Sequence, residues 1–203
     1  MVLKEIIFNG IIYLLIKGGD TMTEKEKMLA GMLFDGKDPQ LFADRERAGN
    51  LCHQFNNMAF DKYDERKALL RDLFQTQNTC YIEPTFFCDY GYNIEIGKSF
   101  YANHNCVILD LTKVKIGDNV MFGPNVHIYT ATHPLKAEER IAGKDIGEPV
   151  EIGENVWIGG CAIVCAGVKI GKNTTIGAGS VVTKDIPENV LAAGNPCRVI
   201  REL

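Results

Sequence analysis

The chain has 203 residues, of which 46% are hydrophobic and 24% are charged, and its formal net charge is -4 at pH 7. This composition is typical of a folded protein with one large domain or two small ones, and the acidic balance argues against a nucleic-acid partner. The seven cysteines are odd in number and contain no C-x-x-C pair, which predicts free thiols in the cytoplasm rather than a disulfide framework or a zinc cage.

Residues 1–21 differ from the rest of the chain. The apolar run 6–16 is shorter than the roughly 20 residues that a membrane helix needs, and no signal-peptide cleavage motif follows it, so no membrane partner is expected. The sequence KGGD at 17–20 can be encoded by codons that spell a ribosome-binding site just upstream of Met22. We therefore interpret residues 1–21 as a translated leader that the natural protein lacks.

Residues 22–77 carry helical signals. TEKE at 23–26 has the spacing of a capping box, Asp38-Pro39 is an N-cap followed by proline at the first helical position, and Asp64 is predicted to cap a third helix. Apolar residues recur at helical spacing behind these caps, namely Met28, Leu29, Met32, Leu33, Leu41, Ala48, Leu51, Phe55, Met58, Leu69, Leu70, Leu73 and Phe74. The segment is predicted to be a helical subdomain, which either caps another structure or also shapes a binding site.

Residues 78–203 contain a six-residue repeat. Large or branched apolar residues recur every six positions at Ile116, Phe122 and Ile128, and again at Ile152, Ile158, Val164, Ile170, Ile176 and Val182; an earlier run at Ile96, Ala102 and Ile108 is shifted by two. This period fits neither an amphipathic helix nor an alternating strand. It predicts a mainly β solenoid, in which three hexads of strand and turn make each coil of a triangular prism.

The repeat stops after His133 and restarts at Val150. The intervening loop 134–149 is rich in charge, with Lys136, Glu138, Glu139, Arg140, Lys144, Asp145 and Glu148. Long loops are often functional, and a histidine at the root of one stands on a rigid scaffold beside a crevice. His133 is therefore a candidate general base. An alternative is a zinc site, which would need His127 and His133 together with His104 or His53.

The motifs HIYTATHP (127–134), IGENVWIGG (152–160), IGAGSVVTKDIPENV (176–190) and AAGNPCRVIREL (192–203) carry a family resemblance. With the N-terminal helical segment, they resemble the bacterial maltose and galactoside O-acetyltransferases over residues 22–203, and YTATHP and VWIGG favour the maltose branch. The resemblance implies a left-handed parallel β-helix of hexapeptide repeats with an N-terminal α-helical subdomain. It also implies acetyl-CoA as co-substrate, no metal requirement, and a homotrimer with its active sites between subunits.

The resemblance also assigns residues. It implies His133 as the base in a direct transfer and the Gly160 backbone N–H as the oxyanion donor. It places Asp89 and Asn103 at the acceptor; Asp110 is a weaker candidate, because the family acid falls one position later, at Leu111. The galactoside pattern has an aspartate at Gly36, so we expect Asp35 or Asp38 to substitute for it. The implied donor contacts are Gly160, Ala178, Thr183, Lys184, Arg198 and Arg201.

Several of these residues have a plain structural alternative. Asp89 could be a turn residue, Asn103 a residue of a coil corner, and Lys184 or Arg198 an ordinary solvated cation. The predicted function is transfer of an acetyl group from acetyl-CoA to a hydroxyl of maltose, glucose or a related sugar. The alternatives are an acetyltransferase for another small hydroxyl compound and a non-catalytic hexapeptide-repeat scaffold.

Overall fold

The structure is a computed structural model that describes residues 4–8, 11–15, 22–78 and 80–203. Strands β1 (Lys4–Phe8) and β2 (Ile11–Leu15) form an antiparallel pair. The KGGD segment 17–20, on which the leader interpretation rests, lies outside the described residues.

The helical segment contains α1 (Glu24–Leu29), β3 (Phe34–Asp35), α2 (Pro39–Asn57) and α3 (Tyr63–Phe74). Thr23 and Glu26 form the predicted capping box, and the Asp38 carboxylate caps α2 by accepting from two backbone N–H groups. The predicted cap at Asp64 is wrong, because the N-cap of α3 is Lys62, two residues earlier. Asp64 lies instead in the first turn, where a negative charge favours the positive end of the helix dipole.

Helices α2 and α3 pack on the first coil of the β-structure. Ala48, Leu51, Phe55, Leu70, Leu73 and Phe74 belong to the same buried cluster as Ile82, Phe86 and Ile94. By contrast Leu29, Met32 and Leu33 are exposed, although their spacing predicted a buried face. Helices α2 and α3 therefore share one core cluster with the solenoid, whereas Met28, Phe34 and Leu41 form a second cluster with Tyr90 and Leu111.

From residue 80 the chain winds as a parallel β-helix, which confirms the predicted architecture. The first part contains β4 (Cys80–Ile82), β5 (Phe86–Cys88), β6 (Ile94–Ile96), β7 (Phe100–Ala102), β8 (Cys106–Leu109), β9 (Val114–Ile116), β10 (Met121–Phe122) and β11 (His127–Tyr129). An excursion follows, with β12 (Ala131–Thr132), α4 (Ala137–Ile141) and β13 (Lys144–Gly147). The helix resumes with β14 (Val150–Ile152), β15 (Trp157–Ile158), β16 (Ile163–Val164), β17 (Lys169–Ile170), β18 (Thr175–Ile176), β19 (Val181–Val182), β20 (Val190–Ala193) and β21 (Arg198–Glu202).

These strands stack into three faces. Face 1 contains β4, β7, β10, β15, β18 and β20 with β21 antiparallel at its end; face 2 contains β5, β8, β11, β16 and β19; face 3 contains β6, β9, β14 and β17. The hexad residues align in register down each face, for example Ile96, Ile116, Ile152 and Ile170 on face 3. All four are buried, so the apolar residue of each repeat fills one level of the prism interior.

Three corners join the faces. Corner A follows face 1 and contains residues 83–85, 103–105, 123–126, 159–162 and 177–180. Corner B follows face 2 and contains residues 89–93, 110–113, 130–149, 165–168 and 183–185. Corner C follows face 3 and contains residues 97–99, 117–120, 153–156, 171–174 and 187–189. Across the first three passages of corner B, register-equivalent residues are more than six positions apart, namely Cys88 to Ile96, Ile108 to Ile116 and Ile128 to Ile152. Val164 to Ile170 keeps the six-residue spacing. The irregularities of the repeat therefore stack on one corner and build a local recess there.

In the described part of the chain, no helix has the length and apolar character needed to cross a membrane.

Candidate active site

A cavity of about 230 Å³ opens at corner B beside the helical segment. It is lined by Gly36, Arg45, Asp89, Leu111, Ala131, Thr132, His133 and Asp145. The corner supplies most of these residues through its three long segments, and the helical segment supplies Gly36 and Arg45. The N-terminal segment therefore forms a wall of the cavity as well as packing on the core.

His133 is held at the mouth of this cavity by a small sheet. It directly follows β12, which pairs antiparallel with β13, and β13 pairs in turn with β3. The predicted solvated loop 134–149 is therefore partly regular, since it contains α4 and β13. The His133 side chain is 64% exposed, which leaves its ring accessible to a substrate.

Asp145 on β13 orients the His133 ring. The His133 Nδ1 and Asp145 Oδ1 atoms are 3.0 Å apart. A neutral imidazole that donates its Nδ1–H to this carboxylate leaves Nε2 with a lone pair, as a general base requires. The sequence showed Asp145 only as one of several loop charges, because its partner is chosen by the pairing of β12 with β13.

We expect Asp145→Ala to lower kcat by about tenfold to a hundredfold, because the ring loses the partner that selects its tautomer and orientation. Steady-state kinetics would measure this effect, and Asp145→Asn would test the charge separately. Glu139→Ala, which removes a neighbouring exposed carboxylate of α4, is the matched control. A kcat within about twofold of wild type in Asp145→Ala would show that His133 works without this partner.

Asp89 and Arg45 supply further polar groups to the cavity. Burial raises the pKa of Asp89; nearby Arg45 lowers it, and Asp145 raises it further. Arg45 donates from Nη1 to the Tyr90 hydroxyl at 2.7 Å and from Nη2 to the Gly36 carbonyl at 2.7 Å. Two carboxylates and a guanidinium around one small recess suit hydrogen bonding to hydroxyl groups. Arg45 carries no motif signal and was not among the residues predicted from the sequence.

Asp110 does not line the cavity, although it was predicted as a weaker candidate for an acceptor contact. The residue is 0% exposed, and its carboxylate accepts from the backbone N–H groups of residues 89–91. Burial raises the pKa of Asp110 to about 7, and the hydrogen bonds from Tyr90 and Gly91 oppose that rise. Asp110 therefore supports the backbone of corner B at residues 89–91.

Neither aspartate expected to substitute at Gly36 does so. The Asp38 carboxylate caps α2, and Asp35 Oδ1 accepts from the Lys37 backbone N–H at 2.9 Å. A Cβ added at Gly36 would lie 2.1 Å from Asp145 Oδ2. In this chain the Asp145 carboxylate therefore stands beside Gly36 and takes the space that a side chain there would need.

Asn103, Gly160 and Ala178 lie on corner A, across face 2 from His133. The Asn103 side-chain oxygen accepts from the His104 backbone N–H at 2.7 Å. A Cβ added at Gly160 would lie 3.0 Å from the Pro124 carbonyl oxygen. Within one chain, these residues and His133 are brought to different corners of the prism.

The remaining donor candidates lie toward the C-terminal end. Thr183 and Lys184 are on corner B, whereas Arg198 and Arg201 are on β21. All four are exposed. Among the described residues, none of the three cations forms an ion pair with a protein carboxylate, so their charges are available to a ligand.

The histidines do not assemble the alternative zinc site in the described residues. His127 Nδ1 is bonded to the Tyr129 hydroxyl at 2.6 Å, and His104 Nδ1 is bonded to the Pro84 carbonyl. No group of three or more histidine, cysteine, aspartate or glutamate side chains in that part of the chain is placed to hold a metal ion.

Comparison with known proteins agrees with this arrangement. Residues 27–77 match the maltose acetyltransferase hexapeptide capping motif, and residues 149–184 match the bacterial transferase hexapeptide family of six repeats. The crystal structure of a maltose O-acetyltransferase from Clostridium difficile 630 is 51% identical, with a TM-score of 0.89, and the match covers 91% of this chain and 99% of that one.

Two further relatives carry functional information. A hexapeptide-repeat acetyltransferase from Vibrio cholerae O1 biovar eltor, solved in complex with acetyl coenzyme A, is 40% identical, with a TM-score of 0.83 over 90% of this chain and 99% of that one. The galactoside O-acetyltransferase of Escherichia coli (strain K12) is 44% identical over 183 residues, which are 90% of each protein. The matching capping segment and repeats, together with these identities over about nine-tenths of the chain, show that it belongs to the maltose and galactoside O-acetyltransferase family of hexapeptide-repeat acetyltransferases.

Proposed function

We propose that the protein transfers the acetyl group of acetyl-CoA to a hydroxyl of maltose, glucose or a related saccharide in the cytoplasm, with His133 as general base. The observation that carries the proposal is the His133–Asp145 pair, which opens onto a small recess lined by Asp89 and Arg45. Such a recess can form hydrogen bonds with a few hydroxyl groups. A relative that matches over 90% of this chain is named a galactoside O-acetyltransferase.

In the proposed mechanism His133 Nε2 takes the proton of the acceptor hydroxyl as its oxygen attacks the thioester carbonyl. A C–O bond forms, and the negative charge on the carbonyl oxygen is stabilised by the Gly160 backbone N–H, which has no protein acceptor among the described hydrogen bonds. Collapse of the tetrahedral intermediate breaks the C–S bond. The proton held by His133 then passes to the CoA sulfur, so no acyl-enzyme is formed.

The donor site is proposed along corner A and the C-terminal strand. The glycines of corner A stack closely, since a Cβ added at Gly123 would lie 2.5 Å from the Gly160 nitrogen. Such a strip without side chains gives a pantetheine arm access to the backbone, with Ala178 further along it. Thr183 and Lys184 would meet this strip from corner B of a neighbouring subunit. Lys184, Arg198 and Arg201 are exposed cations of the kind that bind the phosphates of CoA.

We also propose a homotrimer, because a single chain carries its proposed catalytic groups at two different corners, Gly160 at corner A and His133 at corner B. Face 2 presents Phe87, Val107, His127, Ile163 and Val181 outward in one register. Face 3 instead presents a charged row of Glu95, Lys115, Glu151 and Lys169, in which Glu151 pairs with Lys169. Packing face 2 of three copies about a threefold axis would bring corner A of one subunit against corner B of the next. That arrangement joins Gly160 of one subunit to His133 of its neighbour.

The test is release of free thiol from acetyl-CoA with a panel of maltose, glucose, a galactoside, a chitooligosaccharide and chloramphenicol. Sugar-dependent release is the expected result, and the ranking of the sugars identifies the preferred acceptor. Release with chloramphenicol alone would favour another small hydroxyl acceptor. No release and no binding of CoA by calorimetry would favour the non-catalytic scaffold.

A further inference from the structure

The first segment of corner B is held in place by a buried carboxylate from the next coil. Asp110 accepts hydrogen bonds from the backbone N–H groups of Asp89 at 2.9 Å, Tyr90 at 2.9 Å and Gly91 at 2.7 Å. Three successive N–H groups that converge on one anion form a concave site of the kind that binds phosphates in other proteins. Here the protein supplies the anion itself.

Two further residues hold the backbone of residues 89–91 in this conformation. Gly91 has φ +78°, and a Cβ added there would lie 2.5 Å from the Leu73 carbonyl oxygen. The Asn93 side chain donates to the Asp110 carbonyl at 2.8 Å, so the corner and its support are bonded in both directions. Removal of the carboxylate would leave buried N–H groups without acceptors.

The neighbouring segment of the same corner has a smaller requirement, a single N–H group, and meets it without a charge. There the Thr130 hydroxyl accepts from the Thr112 backbone N–H at 3.0 Å and donates to the Leu109 carbonyl at 2.8 Å. The three N–H groups of residues 89–91 converge on Asp110 instead, whose carboxylate offers more acceptor sites. Because burying a charge is costly, this convergence calls for a reason.

That reason lies in the groups that the segment carries. The Asp89 side chain lines the cavity from this segment, and the Tyr90 hydroxyl accepts from Arg45, the cationic group of the opposite wall. The backbone position of residues 89–91 consequently sets where both charged groups of the recess stand.

We propose that Asp110 is a positioning residue for the acceptor: it fixes Asp89 directly, and Arg45 through Tyr90, without touching the acceptor itself. This role rests on the proposed function, because the recess is its acceptor site. The ionised form of Asp110 is the form that accepts from three N–H groups at once.

Protonation of Asp110 should therefore loosen the recess. Burial raises its pKa to about 7. The titratable and charged groups around it are Asp89, Tyr90, Tyr92 and Cys88 from the first coil and Cys52 and Arg45 from α2. As the pH falls through neutrality, one carboxylate oxygen gains a proton and becomes a poorer acceptor. The acceptor KM should then rise.

The first experiment compares Asp110→Asn with wild type, with thiol release as the assay. We expect the acceptor KM to rise about tenfold or more, whereas kcat and the acetyl-CoA KM stay within about threefold, since one or two hydrogen bonds to the corner are lost. Thr174→Val is the matched control: Thr174 is 0% exposed and makes the same kind of backbone bonds at corner C, far from the recess. It should lower the melting temperature and leave the acceptor KM unchanged.

The outcomes separate the hypotheses. An unchanged acceptor KM in Asp110→Asn, or equal changes in both KM values as in a general loss of structure, overturns the positioning role alone. If the wild-type enzyme turns over no acceptor, the proposed function falls and the role of Asp110 falls with it.

A second measurement does not depend on the folding of a variant. In wild type the acceptor KM should increase several-fold between pH 8 and pH 6, while the acetyl-CoA KM stays nearly constant. In Asp110→Asn, where it folds, the acceptor KM should be independent of pH. A flat acceptor KM in wild type over this range contradicts the proposal.

Discussion

Replacement of His133 with alanine is expected to abolish most sugar acetylation, with kcat lowered on the order of 10²–10⁴-fold, the usual contribution of a general base. The residual rate would come from binding the two substrates side by side. Because the His133 side chain is 64% exposed and, among the residues that the structure describes, bonds only to Asp145, its loss should leave the fold intact.

The measurement is kcat by thiol release, with CoA binding and subunit mass determined on the same samples. His53→Ala is the control, since His53 is exposed on α2 and bonds only to Asn57 within the described residues. A loss of CoA binding or of assembly in His133→Ala would assign His133 a structural role. Retention of kcat would remove it as the base.

Mixing two inactive variants is expected to restore activity if the site is shared between subunits. One variant is His133→Ala at corner B, and the other is Ala178→Trp at corner A, where a large side chain on an exposed position would block the proposed donor groove. In a random mixture, a site that needs His133 from one chain and an open Ala178 from its neighbour is intact in about a quarter of cases.

The experiment requires that the two variants be unfolded and refolded together, with each variant refolded alone as the control. Recovery of about a quarter of the wild-type rate supports a site between subunits. Hybrid assemblies that form, as shown by a mass difference between tagged and untagged chains, but remain inactive would place the whole site in one chain. An active wild-type protein that is a monomer at the assay concentration would likewise place the whole site in one chain.

Much of the fold could be predicted from the sequence because the repeat is local. One branched apolar residue per hexad must face the interior, and the columns through Ile116, Ile152 and Ile170 show that it does. The capping signals at Thr23 and Asp38 also act over a few residues and were confirmed. The prediction of Asp64 as a cap failed because α3 begins behind Lys62 without a side-chain capping bond. Sequence signals do not locate the start of a helix to within two residues.

The candidate site was harder to predict, because it depends on contacts between coils. His133 could be singled out from the break in the hexad pattern and from the family resemblance. Asp145 could not, since its place beside His133 follows from the pairing of β13 with β12 and β3. Arg45 reaches the recess only because α2 packs across the first coil.

The sequence by itself determined the solenoid, its approximate coil boundaries and the position of the one histidine at a break in the repeat, because period and spacing are properties of neighbouring residues. Tertiary structure decided which acid faces the cavity and which supports it. Asp89 and Asp110 each follow a short apolar strand, and only the contact between coils places Asp89 at the cavity and Asp110 against the backbone N–H groups of residues 89–91. It also decided that Asn103 and His133 stand at different corners, because the winding of the chain separates them across face 2.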